Sequence, residues 1–249
     1  MNDELYAIEH IKRLRQRFRV MDPNPQLSYM RAGNVYDGGY VMVNDFANVK
    51  HAYSCGISQD VTWDVVMAGH GMDIFMYDHT IKEVPLPKTL PQFHFFPTGI
   101  TGTYSADKPE LKTLPQLIRQ NGHEQDYNMI LKMDIEGAEY DVLQTIDADS
   151  LSHFRQIVLE FHNLLDLGLE NTIGFALDKL NGLFQLVHIH ANNYAKYTVR
   201  GGWVMADALE GTYLRRDNYK FTTSTRFFPT AFDSPNTPKL PEIQLGYWG

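Results

Sequence analysis

Asp134 and Glu136 stand two residues apart in LKMDIEGAEYDVL, and Glu160 and His162 stand two apart in VLEFH. Residues i and i+2 of a strand share a face, so each pair can aim at one space. On adjacent parallel strands, Asp134 would come near Glu160 and His162. His188, His190, Asn192 and Asn193 extend this polar cluster from a third strand end. Gathering so many polar groups at one edge is costly unless they bind something. Two chemistries suit them. Asp134, Glu160 and His162 can hold a divalent cation such as Mg²⁺ or Mn²⁺, which would lower the pKa of a substrate hydroxyl. Alternatively, His162 or His190 serves as general base beside Asp134 and Glu136, with a carboxylate fixing its tautomer. The base is the preferred chemistry, with or without a metal. Plainer roles compete: Gly137 marks a turn, Glu139 favours a helix N-terminus, and His188 or His190 is hydrogen-bonded within the sheet.

A second group of residues reads as a nucleoside pocket. Gly56 lies between HAYSC and VTWDVVMAG, where the chain must turn tightly and can let a ligand approach its backbone. Ser58 or Asp60 can cap the following helix. DIFMYD ends in Asp78, 22 positions after Gly56, the spacing of an acid that accepts both ribose hydroxyl protons. Gly99 and Ile100 are placed to line an adenine pocket, and Tyr53, Cys55 and His79 complete the expected donor-binding set. A diphosphate needs close approach at several glycines, and this loop has only Gly56. It suits a ligand with ribose and adenine but no phosphate. Asp60 or Asp64 would tolerate cationic sulfonium and ammonium groups, so S-adenosylmethionine is expected rather than NAD.

These residues need a scaffold of alternating strands and helices. Short apolar runs predict strands at Gly39–Val43, His51–Cys55, Asp73–Tyr77, Phe93–Phe96, Met129–Met133, Gln156–Phe161 and Leu183–Ile189. Helical spacing predicts helices at Val61–Ala68, Leu114–Gln120, Ala138–Ile146 and Thr172–Leu180. Such alternation implies a mainly parallel sheet covered on both faces. Asp-Gly in the DGGY block reads as a hairpin turn, with Asp37 and Tyr40 able to flank the cofactor. Gly202–Leu214 reads as a further strand pair. Leu5, Ile8, Ile11, Leu14 and Phe18 form the apolar stripe of an N-terminal amphipathic helix. Packing on the main domain is its expected use, a homodimer contact the alternative. The organisation expected is helix and linker at 1–30, a catalytic domain at 31–228, and an irregular proline-rich surface tail at 229–249.

The run LKMDIEGAEYDVL resembles the signature of the FkbM-type methyltransferase family. The likeness extends to RAGNVYDGGYVM, YSCGISQD, VLEFH and HIHANNY. It implies a Rossmann-like class I methyltransferase fold, α/β, with a mainly parallel seven-stranded sheet and helices on both faces. It also implies S-adenosylmethionine as donor and O-methylation of a sugar, nucleotide-sugar or glycan hydroxyl. One departure is that YSCGISQD lacks the acid and the further glycines of the common first motif.

A net charge of −8 opposes a general nucleic-acid binder, and no apolar stretch is long enough for a membrane span. One cysteine excludes a disulfide framework, and no secretory leader is evident, so a cytoplasmic protein with a small-molecule or glycan acceptor is expected. The rivals are an NAD-dependent oxidoreductase or epimerase, and a catalytically silent binding subunit on the same fold.

Overall fold

The computed structural model describes residues 3–85 and 90–249. Seven strands form the central sheet: β1 His51–Cys55, β2 Asp73–Tyr77, β3 Phe93–Phe96, β4 Met129–Met133, β5 Phe154–Phe161, β6 Phe184–Ala191 and β7 Leu209–Arg215. Their order is β6-β7-β5-β4-β1-β2-β3. Only β7 runs antiparallel to its neighbours. The fold is therefore the expected Rossmann-like α/β sheet. Its order reverses between β1 and β4, which leaves a crevice at their carboxyl ends.

Helices α1 Asp3–Arg17, α2 Thr62–Gly69, α3 Leu114–Gln120, α4 Glu139–Thr145, α5 Ala148–Ser152 and α6 Glu170–Leu183 complete the frame. Alternate strand residues face opposite cores, which is why the strands read as nearly continuous apolar runs. Tyr53, Cys55, Leu131, Met133 and Leu159 join Leu14 of α1, Leu117 of α3, Val142 of α4 and Leu177 of α6. Ala52, Ile74, Met76, Ile130 and Val158 pack instead against Trp63 and Met67 of α2. Helix α1 buries Ile11 and Leu14 in the first core and ties Arg17 to Asp178 of α6 at 2.8 Å, so the later part of its apolar stripe packs on the main domain while Leu5 stays exposed.

Three expectations need correction. The strand at Tyr40–Val43 does not enter the sheet; it pairs with Tyr29–Ala32 in a hairpin over the α2 face. The Gln156 amide stands in for a strand there, accepting from Val43 N–H and donating to Val43 C=O at 2.8 and 3.1 Å. Gly202–Leu214 is not one hairpin. Trp203–Ala206 pairs with Tyr197–Arg200, while β7 slots between β5 and β6. Residues 229–249 are largely irregular as expected, but they are not confined to the surface. Gly246–Tyr247 pairs with Phe227–Phe228, and Leu245 and Trp248 enter the first core.

Two buried histidines of β6 hold this tail. His188 Nε2 meets Asp233 at 2.8 Å, and His190 meets Glu210 of β7 and Glu242 of the tail at 3.1 Å each. Burial opposes a charge on His190, but Glu210 and then Glu242 outweigh it and raise its pKa to about 10. Burial likewise opposes the charge on Asp233, yet His188 and then His190 hold it at about 2. A raised histidine contributes fully below its unfolded value of 6.5 and loses that contribution as pH climbs toward about 10. A depressed carboxylate contributes above 3.8 and loses it as pH falls toward about 2. Thermal unfolding is therefore expected to drop by on the order of 5 °C between pH 7 and 10. His190→Gln should flatten that decline; an equal slope in both proteins would remove His190 as its source.

Candidate active site

The crevice where the strand order reverses is a cavity of about 770 Å³, within the usual range for small-molecule sites. Gly56–Asp60, Tyr77–Thr80 and Gly99–Thr101 form one side. Lys132, Asp134, Ile135 and Glu136 form the other, and Asn34, Asp37, Gly38 and Tyr40 of the hairpin close the wall.

The loop after β1 is fixed by Asp78. One carboxylate oxygen accepts the N–H groups of Ile57 and Ser58 at 2.9 and 2.8 Å. The other accepts the Thr80 N–H and hydroxyl at 2.7 and 2.6 Å. Burial works against the charge, but the Thr80 hydroxyl and these N–H donors prevail and hold the carboxyl below its ordinary range. Asp78 thus spends its acceptor positions on the protein, where the sequence suggested a ribose partner. Gly56 has φ +79°, and a Cβ there would lie 1.6 Å from Asp134 O. The glycine is needed for close approach of β4's end to β1's end, in addition to any ligand.

Ser58, Asp60, His79, Gly99 and Ile100 all reach the wall as expected. Asp60 is steadied by Asn34 Nδ2 at 3.0 Å. Asp64 does not reach the wall; it is buried on α2, where burial pushes its carboxyl up to about 6. Nor do the side chains of Tyr53 and Cys55, which alternation turns into the first core. The Tyr53 hydroxyl accepts from Asn121 at 2.9 Å, and burial pushes the Cys55 thiol up to about 12.

Parallel pairing of β4 with β5 brings the expected cluster together. The available ligand atoms of Asp134, Glu160 and His162 lie within 4.8 Å of one another. His162 Nε2 is 3.9 Å from Asp134, 3.7 Å from Glu136 and 3.8 Å from Glu160. His190 does not join them; it belongs to the tail clamp. Ser58, Glu136 and Asn163, beside this cluster or the wall, are three of four non-glycine residues with left-handed φ among the described residues. Such strain costs on the order of 1–3 kcal/mol each and gathers at functional sites.

Asn34 and Lys132 escaped the sequence reading, while Tyr40 enters it only as a cofactor flank and Glu139 only as a helix N-terminal acid. Tyr40 donates to Asp134 Oδ2 at 2.9 Å, and Asn34 steadies Asp60. Lys132 donates to Gly56 C=O at 2.6 Å, tying β4 to the loop. Glu139 is fully buried, accepts the N–H groups of Ile135 and Gly137 at 2.8 and 2.9 Å, and faces His162 Nδ1 at 3.4 Å. The only signal for Glu139 was its place in the DIEGAE run, where helix capping explained it equally well. Burial opposes charge on His162, but Glu139, then Glu160 and Asp134, raise its pKa to about 9. Glu139→Gln is expected to lower that titration by about one unit or more, since the nearest anion is lost. An NMR titration of the ring would show it, and an unmoved midpoint would make Glu139 a loop cap alone.

Arg215 donates to the carbonyls of Tyr127 and Ser152, and Arg216 to those of Asn181 and Phe184. No helix among the described residues is long and apolar enough to cross a membrane. The methyltransferase FkbM domain matches residues 3–194 of the chain. No curated protein matches it.

Proposed function

The chain belongs to the FkbM methyltransferase family, and from that premise we propose that it moves a methyl group from S-adenosylmethionine to a hydroxyl of a sugar, nucleotide-sugar or glycan precursor. The observation that carries this reading is the cavity at the sheet's switch point, walled by a one-glycine loop on one side and by Asp134 and Glu136 on the other. The loop offers no multi-glycine diphosphate cradle, which argues for a nucleoside donor without phosphate. Ser58, Asp60, His79, Gly99 and Ile100 would line the donor, and Asp60 offers the negative charge its cationic end requires. Asp78, itself on the cavity wall, acts by holding the Ile57 and Ser58 backbone.

When bound, S-adenosylmethionine supplies an electrophilic methyl carbon on a sulfonium. The chain's own part is to place an acceptor oxygen in line with it and remove the hydroxyl proton. His162 suits that removal in its neutral form, the minor one below its pKa of about 9: Nε2 stands beside the wall carboxylates, and Glu139 on the opposite nitrogen stabilises the imidazolium. A second arrangement has its own support in the clustering of Asp134, Glu160 and His162. Two carboxylate oxygens and an imidazole form a donor set that fits Mn²⁺ or Mg²⁺, which would orient acceptor oxygens and acidify a hydroxyl.

Calorimetric titration with S-adenosylhomocysteine, with NAD in parallel and with or without Mn²⁺, tests the reading. Micromolar binding of the homocysteine compound is expected. Preference for NAD, or no binding of either, would overturn it; donor binding without turnover on any hydroxyl acceptor would favour a silent subunit.

A further inference from the structure

Asn236 lies in the tail, beyond the residues that match the family domain, yet it touches the cavity wall. It is 1% exposed. Its Nδ2 donates to Asp37 Oδ1 at 3.0 Å and to Glu210 Oε1 at 2.7 Å, while its C=O accepts the Asp37 N–H at 3.1 Å. Its Oδ1 is buried without a partner. An unpaired buried acceptor is unfavourable, so the side chain is held by what its amide nitrogen does. That nitrogen bridges two carboxylates. One belongs to the hairpin loop that lines the cavity. The other, Glu210 on β7, stands directly across from Glu160 of the polar cluster on β5.

The segment around Asn236 is fastened at several points. Asn193 donates to the carbonyls of Thr237 and Leu240 at 2.9 and 3.0 Å and accepts the Thr237 N–H at 2.9 Å. His188 and His190 take Asp233 and Glu242 on either side. The cavity loop, by contrast, exposes Val35, Tyr36 and Asp37 to solvent. The loop has its own ties, from Arg31 to the Asn34 and Tyr36 carbonyls at 2.9 and 2.7 Å and from Asn34 to Asp60 at 3.0 Å, and Asn236 adds the link that joins its Asp37 end to the tail.

We infer that the turn Asp233–Glu242 is a working part of the cavity, with Asn236 as the positioning residue that sets the Asp37 wall, so that docking of the tail and occupancy of the cavity are coupled. Only the ligand arm of the test rests on the proposed donor.

Hydrogen–deuterium exchange on the full chain reads the coupling. Asn236→Ala is expected to speed exchange of the 33–39 segment by about ten-fold while β1 and β4 stay protected. Asn236→Ser, a milder change, should give a smaller shift in the same place if the alanine variant folds poorly. Unchanged exchange at 33–39 in a folded variant would overturn the inference. Coupling is reciprocal. Saturating S-adenosylhomocysteine should therefore slow exchange across 230–242 several-fold in the parent protein and not in the Asn236 variant. Binding that leaves the tail unaffected would overturn the coupling. If the compound does not bind at all, the donor assignment fails, and the first arm still decides whether Asn236 sets the loop.

Discussion

Asp78→Ala is expected to weaken S-adenosylhomocysteine binding by at least about 100-fold, equivalent to roughly 2.7 kcal/mol. The reason is indirect. The carboxylate gathers the N–H groups of Ile57, Ser58 and Thr80 and the Thr80 hydroxyl, and its removal leaves four donors, three of them backbone, to find other partners. Each orphaned, partly buried N–H costs roughly 1–3 kcal/mol. The loop should relax, and the donor wall with it. Asp78→Asn separates this role from direct ribose contact. An amide cannot accept on its nitrogen side, so half of the loop contacts are lost although size and shape remain. A loop brace predicts that both variants lose affinity and that both melt earlier. A ribose partner alone predicts lost affinity with unchanged melting. Full affinity in Asp78→Ala would discard both.

Gly56→Ala should have the largest effect on stability. The clash is between a new Cβ and a backbone carbonyl, Asp134 O at 1.6 Å, so no side-chain rotation relieves it. The left-handed φ adds a further penalty. Gly56 also donates its N–H to Tyr77 C=O at 3.0 Å and accepts from Lys132 at 2.6 Å, so a shift there disturbs β2 and β4 together. A loss of about 3 kcal/mol or more is expected, or roughly 6–12 °C in melting temperature. Thermal unfolding measures it directly. A variant within about 2 °C of the parent would mean that the two strand ends do not approach so closely.

Much of this architecture was written in local pattern. Apolar runs of strand length alternating with helical periodicity can be buried in few ways, and the sheet formed as that alternation requires. The pairing of Asp134 with Glu160 and His162 was also legible. Residues two apart share a face, and consecutive parallel strands tend to lie side by side. What a one-dimensional pattern cannot carry is which element fills a given gap. Tyr40–Val43 and Leu209–Arg215 are both strand-like, and only the packing of the finished sheet decided that the second enters it.

The same limit governed the site. Tyr53, Cys55 and His190 sit near the right strand ends, but alternation and the tail's return turned their side chains into a core and a clamp. Tyr40, Glu139 and Asn236 act through contacts with residues 94, 23 and 199 positions away. The amino-acid sequence by itself determined the parallel body of the sheet and the two carboxylate-bearing strand ends, because these follow from periodicity and short-range connection. The tertiary structure alone decided which carboxylate steadies His162, what Asp78 spends its oxygens on, and that the tail reaches the cavity wall. Those are matters of distance between groups that the chain brings together only on folding.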